Sequence, residues 1–167
     1  MVPESPPGAA ELRLELAVDL AVPSIVRTRL RRWLDELGWP PDDADDVVLA
    51  VHEATANVVD HAYRPGDPGT VRLTARAAAP DAGGGIEVRV RDRGRWRPAA
   101  ADPGHRGHGL TVMRGCMDTV DVTTGDGGTE VRMVLGRTAP GRSARAHARA
   151  VEPSSGIIAM PRVSTST

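Results

Sequence analysis

Three short runs of this 167-residue chain hold the side chains best suited to chemistry. The first is Val51-His52-Glu53-Ala54-Thr55-Ala56-Asn57-Val58-Val59-Asp60-His61-Ala62-Tyr63. Glu53, Asn57 and His61 recur every fourth residue, which on a helix puts them in one polar stripe. Val47, Val48, Val51, Ala54, Val58 and Ala62 fall largely elsewhere and can pack on a sheet. A carboxylate one turn before an amide sets a general base beside a hard-oxygen metal ligand. Mg²⁺-assisted phosphoryl transfer asks for such a pair, because Mg²⁺ keeps several waters and takes few protein ligands besides phosphate oxygens. Read alone, the stripe also describes the solvated face that every surface helix has.

The second run, Arg91-Asp92-Arg93-Gly94-Arg95-Trp96, ends a predicted strand. A carboxylate there can accept a hydrogen bond from the exocyclic amine of adenine, and Gly94 lets backbone approach the base closely. The same residues suit an ordinary Asp-x-Gly turn. The third run, Gly104-His105-Arg106-Gly107-His108-Gly109-Leu110, leads into an apolar helix. Glycines at a helix N-terminus offer free N–H groups and the positive dipole end to a phosphate, and His105, Arg106 and His108 can add charge or hydrogen bonds. A plain flexible loop is the alternative.

The elements that must position these runs follow from periodicity. Residues 11–20 alternate, with Leu12, Leu14, Leu16 and Val18 on one side, which predicts a half-buried strand. Pro23 and Ser24 open an amphipathic helix carrying Ile25, Val26, Leu30, Trp33, Leu34 and Leu37, with Gly38 as its stop. Asp42 or Asp43 is expected to cap a second helix running to about Tyr63. Strands follow at 70–78 and 86–92, joined loosely through Gly83-Gly84-Gly85. Residues 93–108 lack apolar periodicity, a stretch of roughly fifteen residues long enough to serve as a binding loop. A helix over Leu110–Met117 and strands over Thr119–Thr124 and Thr129–Leu135 complete the order. Strand, helix, helix, strand, strand, helix, strand, strand predicts a two-layer α/β sandwich: a mixed, mainly antiparallel sheet with helices on one face. The domain is expected at residues 11–136, between a disordered Pro-rich leader (1–10) and a disordered tail (137–167).

Bulk composition narrows the classes. Apolar residues make up 40 % of the chain, yet Phe is absent, so Val, Leu, Ile and Ala must build the core. The 21 basic and 22 acidic residues nearly cancel, giving no general attraction to nucleic acid or anionic membrane. The single cysteine, Cys116, excludes an internal disulfide and a Cys-based zinc site, and reads as a small core residue in a reducing compartment. No apolar run reaches membrane-spanning length and residues 1–10 lack signal-peptide character, so the expected location is the cytoplasm.

Together the three runs resemble, in order and spacing, the N-box, G1 box and G2 box of the GHKL (Bergerat-fold) ATPases. Asp60 stands at a further acidic position of that N-box, and Gly128-Thr129 resembles the Gly-Thr pair of the adenine pocket. The resemblance covers about residues 11–135 and is most specific to the anti-sigma-factor serine/threonine kinases of partner-switching systems. Asn57 to His61-Ala62-Tyr63, Trp96 and Pro98 after the G1 box, and Gly109-Leu110 with Met113 and Met117-Asp118 carry that branch's pattern. Sensor histidine kinases would need an upstream dimerising helical domain, and the gyrase, MutL and Hsp90 relatives a large downstream one. The resemblance implies ATP and Mg²⁺ as cofactors, with a sigma factor and a small phosphorylatable antagonist protein as partners. By the same resemblance Glu53 is the general base, Asn57 the Mg²⁺ ligand, and Asp92, aided by Thr129, the adenine reader. Asp60, His61, Trp96, His105, Arg106, His108 and Leu110 would lie at the nucleotide. Gly94, Gly107 and Gly109 would give backbone access, and residues 99–108 would form a lid. His108 departs from the arginine often found there, and the chain has no lysine, so arginine or protonated histidine must supply any cationic phosphate contact. The resemblance further implies a homodimer, for which the first strand and first helix offer contact surfaces. The rival expectation is a non-catalytic module that binds ATP, or only a partner, on the same fold.

Overall fold

The computed structural model describes residues 10–63, 68–78, 84–94 and 108–136. The elements are β1 (Ala10–Ala17), α1 (Val22–Glu36), α2 (Pro41–Asn57), a π-helical turn (Val58–Ala62), β2 (Thr70–Ala77), β3 (Gly85–Asp92), α3 (His108–Cys116), β4 (Thr119–Gly125) and β5 (Gly128–Gly136). The strands form one sheet in the order β1-β2-β3-β5-β4. Every pairing is antiparallel, so the expected mixed character is absent among the described strands. Among the described residues no helix is long and apolar enough to cross a membrane.

Alternation in sequence becomes alternation across the sheet. Val71, Leu73 and Ala75 of β2, Ile86, Val88 and Val90 of β3, and Val131, Met133 and Leu135 of β5 are buried beneath the helices. The opposite face carries charge. Arg76 pairs with Glu11 and Arg72 with Glu15, each at 2.9 Å, and Arg132 bridges Glu87 at 2.6 Å and Asp121 at 3.3 Å. The two-layer architecture with helices on one face is therefore as the periodicity predicts.

The helices differ from expectation at their ends. In α1 Val22, Val26, Leu30, Trp33 and Leu34 are buried, but Ile25 is 42 % exposed. Gly38 stops the helix with φ +65°: its N–H bonds the Asp35 carbonyl and the Trp39 N–H bonds that of Leu34, a Schellman closure. α2 begins two residues earlier than a cap at Asp42 would have it. Pro40 is the N-cap and no side chain caps the helix. Pro41 takes the first helical position, where a missing N–H costs nothing, and Asp42 and Asp43 sit in the first turn instead. α2 also stops being α-helical at Asn57, and the predicted run to Tyr63 is completed by the π-helical turn. α2 is the central helix, packed against both α1 and α3. Residues 1–9 of the expected leader, the tail and most of the predicted 93–108 loop lie outside the described residues, while Ala10, expected in the leader, begins β1.

Candidate nucleotide site

Between α2, α3 and the β3–β5–β4 half of the sheet lies a cavity of about 240 Å³. Ala54, Val58, Val90, Met113 and Val131 give it apolar walls, and Asn57, His61, Asp92, Thr124 and Thr129 bring polar groups to it. Apolar walls with a few converging polar groups are the usual make-up of a small-ligand site. Each polar residue arrives by a simple local rule. Asn57 ends the α-helix and His61 follows within the π-helical turn, so both face the cavity from one side. Asp92 and Thr129 are register partners on β3 and β5, on the face the strands turn toward the helices.

Asp92 is 4 % exposed. Its Oδ1 accepts the Gly94 N–H at 2.8 Å, and the Thr129 N–H also bonds the carboxylate. Burial pushes its pKa above the ordinary aspartate value, and these two N–H donors only partly offset that. Two accepted bonds leave the carboxylate with further acceptor capacity. Beside it, Thr129 Oγ1 is buried and has no hydrogen-bond partner among the described residues. A buried hydroxyl left so costs about 1–3 kcal/mol, which a ligand's polar group would relieve. Two glycines make this corner possible. Gly128 has φ +108°, and a Cβ there would stand 2.0 Å from the Asp92 carbonyl oxygen. A Cβ on Gly94 would stand 2.1 Å from the Ala62 carbonyl oxygen, so the chain after β3 lies directly on the end of the π-helical turn.

The other predicted residues divide. Glu53 is half-buried one turn before Asn57 and is not part of the cavity lining. It faces the start of α3, where a Cβ on Gly109 would lie 3.2 Å from Glu53 Oε2 and 3.4 Å from Asn57 Nδ2. Leu110 lines the cavity, whereas His108 is exposed at the first residue of α3. Asp60 is exposed in the π-helical turn and does not line the cavity. Trp96, His105, Arg106 and Gly107 lie outside the described residues. Residues that motif reading passed over are Val122 and Thr124 of β4, which form the wall nearest solvent, and Val122 is 38 % exposed. The only signal for them is the alternation of β4, which does not say which element stands opposite.

The donor set suits Mg²⁺ with a nucleotide. Among the described residues no group of three or more His, Cys, Asp or Glu could hold a metal by itself. Asn57 offers a hard oxygen next to the cavity. That is the sparse protein contribution expected where phosphate oxygens complete the coordination. Cys116, half-buried on α3, has its thiol pushed up to about 11 by burial and by the nearby Asp46 and Glu53 carboxylates, so it is not poised as a thiolate nucleophile.

Comparison with known proteins agrees with this fold. The family model described as "Histidine kinase-like ATPase domain" matches residues 16–135. A second, the periviscerokinin family, matches only residues 153–163, outside the described residues, and bears on nothing here. The serine/threonine-protein kinase BtrW of Bordetella bronchiseptica is 26 % identical over 129 residues, which cover 66 % of this chain and 85 % of BtrW. The crystal structure of the RsbU and RsbW domains of Rv1364c from Mycobacterium tuberculosis superposes with a TM-score of 0.60 at 28 % identity, covering 78 % of this chain. The match spans about a third (34 %) of that longer chain.

Proposed function

Because the chain belongs to the histidine-kinase-like ATPase family, in the GHKL branch of anti-sigma-factor serine/threonine kinases, we propose that it binds Mg·ATP in this cavity and phosphorylates a serine or threonine of a small antagonist protein. The same domain would sequester a sigma factor, and phosphorylation would release the antagonist and leave the kinase free to hold it. The observation that carries the reading is the convergence of Asn57, Asp92 and the unpartnered Thr129 hydroxyl on one apolar-walled cavity.

In this reading Asp92 and Thr129 select adenine by hydrogen bonding its edge, between apolar walls that strengthen those bonds. Asn57 holds Mg²⁺, which supplies charge neutralisation at the phosphates. The N-terminus of α3, reached through Gly109, directs backbone N–H groups toward them. Glu53, held against that N-terminus, takes the proton of the incoming hydroxyl. Phosphoryl transfer leaves little covalent work for side chains, so positioning and charge account for most of the rate. The compartment we propose is the cytoplasm.

Glu53 stands beside the cavity lining rather than within it, and this observation favours a second reading, in which the domain binds nucleotide and partner without transferring phosphate. A melt with and without ATP and Mg²⁺, followed by a transfer assay on Glu53→Ala, separates the readings. The kinase reading expects nucleotide binding to persist in the variant and antagonist phosphorylation to be lost. Phosphorylation at the wild-type rate would remove Glu53 as base, and no phosphorylation by the wild type would leave the sequestering module.

A further inference from the structure

Tyr63, the chain's single tyrosine, closes the π-helical turn. Its backbone is extended, with φ −127° and ψ 156°, so the chain leaves the helix axis at this residue. The ring rests on Gly69, where a Cβ would come within 2.6 Å of it. The hydroxyl donates to the Thr70 carbonyl at 3.0 Å and accepts the N–H groups of Arg93 at 3.0 Å and Thr70 at 3.3 Å. One donor and two acceptor sites are all a phenol offers, and all three are used on backbone at the start of β2 and just past β3.

Arg93 stands between Asp92 and Gly94, the two residues of the adenine-side motif. Its N–H is held by Tyr63, while Gly94 lies on the carbonyl of Ala62. Consecutive residues at the end of the helical segment therefore grip consecutive residues after β3. Tyr63 itself is not part of the cavity lining. We infer that the Tyr63 hydroxyl is a positioning group: it fixes the strand end that carries Asp92 relative to the end of the helical segment that carries Asn57 and His61, and thereby sets discrimination of the base. The inference rests on the reading of this cavity as an adenine-nucleotide site.

Tyr63→Phe keeps the ring on Gly69 and removes the three bonds. Binding of ATP and of GTP, each with Mg²⁺, is measured by calorimetry on the full chain well below its melting temperature. The expected result is a loss of ATP affinity of roughly three- to tenfold, the span of a typical hydrogen-bond contribution. A smaller change for GTP should narrow the preference between the two. Leu30→Ala, a fully buried change in α1 away from the cavity, serves as control and should lower the melting temperature without altering either affinity. Wild-type constants in Tyr63→Phe, or an equal loss for both nucleotides, would overturn the positioning role while leaving the nucleotide site standing. If the wild type binds neither nucleotide, the site reading falls and this inference falls with it.

Discussion

Glu87 and Asp92 lie on the same strand, β3, but on opposite faces of the sheet, and their protons respond in opposite ways. Burial disfavours ionisation of both. For Glu87 this is overcome by hydrogen bonds and charge from Arg89 and Arg132, so its carboxyl sits below the usual glutamate range. Asp92 is more deeply buried, its hydrogen bonds come from neutral backbone N–H groups, and its pKa is raised. Among the described residues no cation pairs with it. The open face thus engages its acids within the fold, while the helix-side face keeps one carboxylate uncompensated. An acid held at such a cost, with no cation beside it among the described residues, is what the proposed nucleotide site expects of its recognition face.

The largest expected effect lies at Leu73 of β2. Leu73 is 1 % exposed on the helix side, and Leu73→Ala should destabilise by about 2–5 kcal/mol in denaturant melts. If it costs no more than a surface change, the helix-side face is not the core. Next comes Asp92→Asn. The wild type at a nucleotide concentration about 100 times Kd should gain about 2.7 kcal/mol, and the variant should lose that gain. Because ionised Asp92 carries a desolvation cost, the ligand-free variant should melt no lower than wild type at neutral pH. A variant that melts lower yet keeps its nucleotide shift would contradict the assignment.

A smaller effect is expected from pH. For Glu87 the folded pKa is depressed, so its contribution to stability is present above the unfolded carboxylate value and is lost as pH falls through the folded one. For Asp92 the folded pKa is raised, so stability falls as pH rises from the unfolded value through the folded one. Acid titration of Glu87→Gln should therefore show a shallower loss of stability than wild type, and that of Asp92→Asn a steeper one. Identical profiles would mean the two faces do not differ as described. Smallest is Arg72→Ala, which removes an exposed pair with Glu15 at 2.9 Å and should cost no more than about 1 kcal/mol.

Strand alternation and the fourfold spacing of Glu53, Asn57 and His61 were enough to anticipate the sheet, its covered face and the helix beside the cavity. Both patterns are periodic consequences of backbone geometry, so they survive in sequence. Three features were not legible. The break at Asn57 into a π-helical turn coincides with the docking of Ala62 and Tyr63 on residues 93–94, a tertiary contact that helical periodicity does not reveal. The start of α2 was misplaced because four aspartates advertised a cap that Pro40 and Pro41 made unnecessary. Val122 and Thr124 were missed because the turn at 125–128 predicts that β4 pairs with β5 but not that this edge of the sheet borders a cavity.

The position of β1 has a consequence for the order of assembly. Its partner is β2, and contacts such as Arg72 to Glu15 and Arg76 to Glu11 join residues 57 and 65 apart with both α1 and α2 between them. β4 and β5, by contrast, turn directly into one another through Asp126 and Gly127. Closing the longer loop surrenders more chain entropy before any contact rewards it. The β4–β5 hairpin and the helical pair can therefore form while the N-terminal strand is still free, and β1, an edge strand, is expected to dock last. Refolding should be timed by that late closure, with β1 amides the slowest to gain protection from exchange.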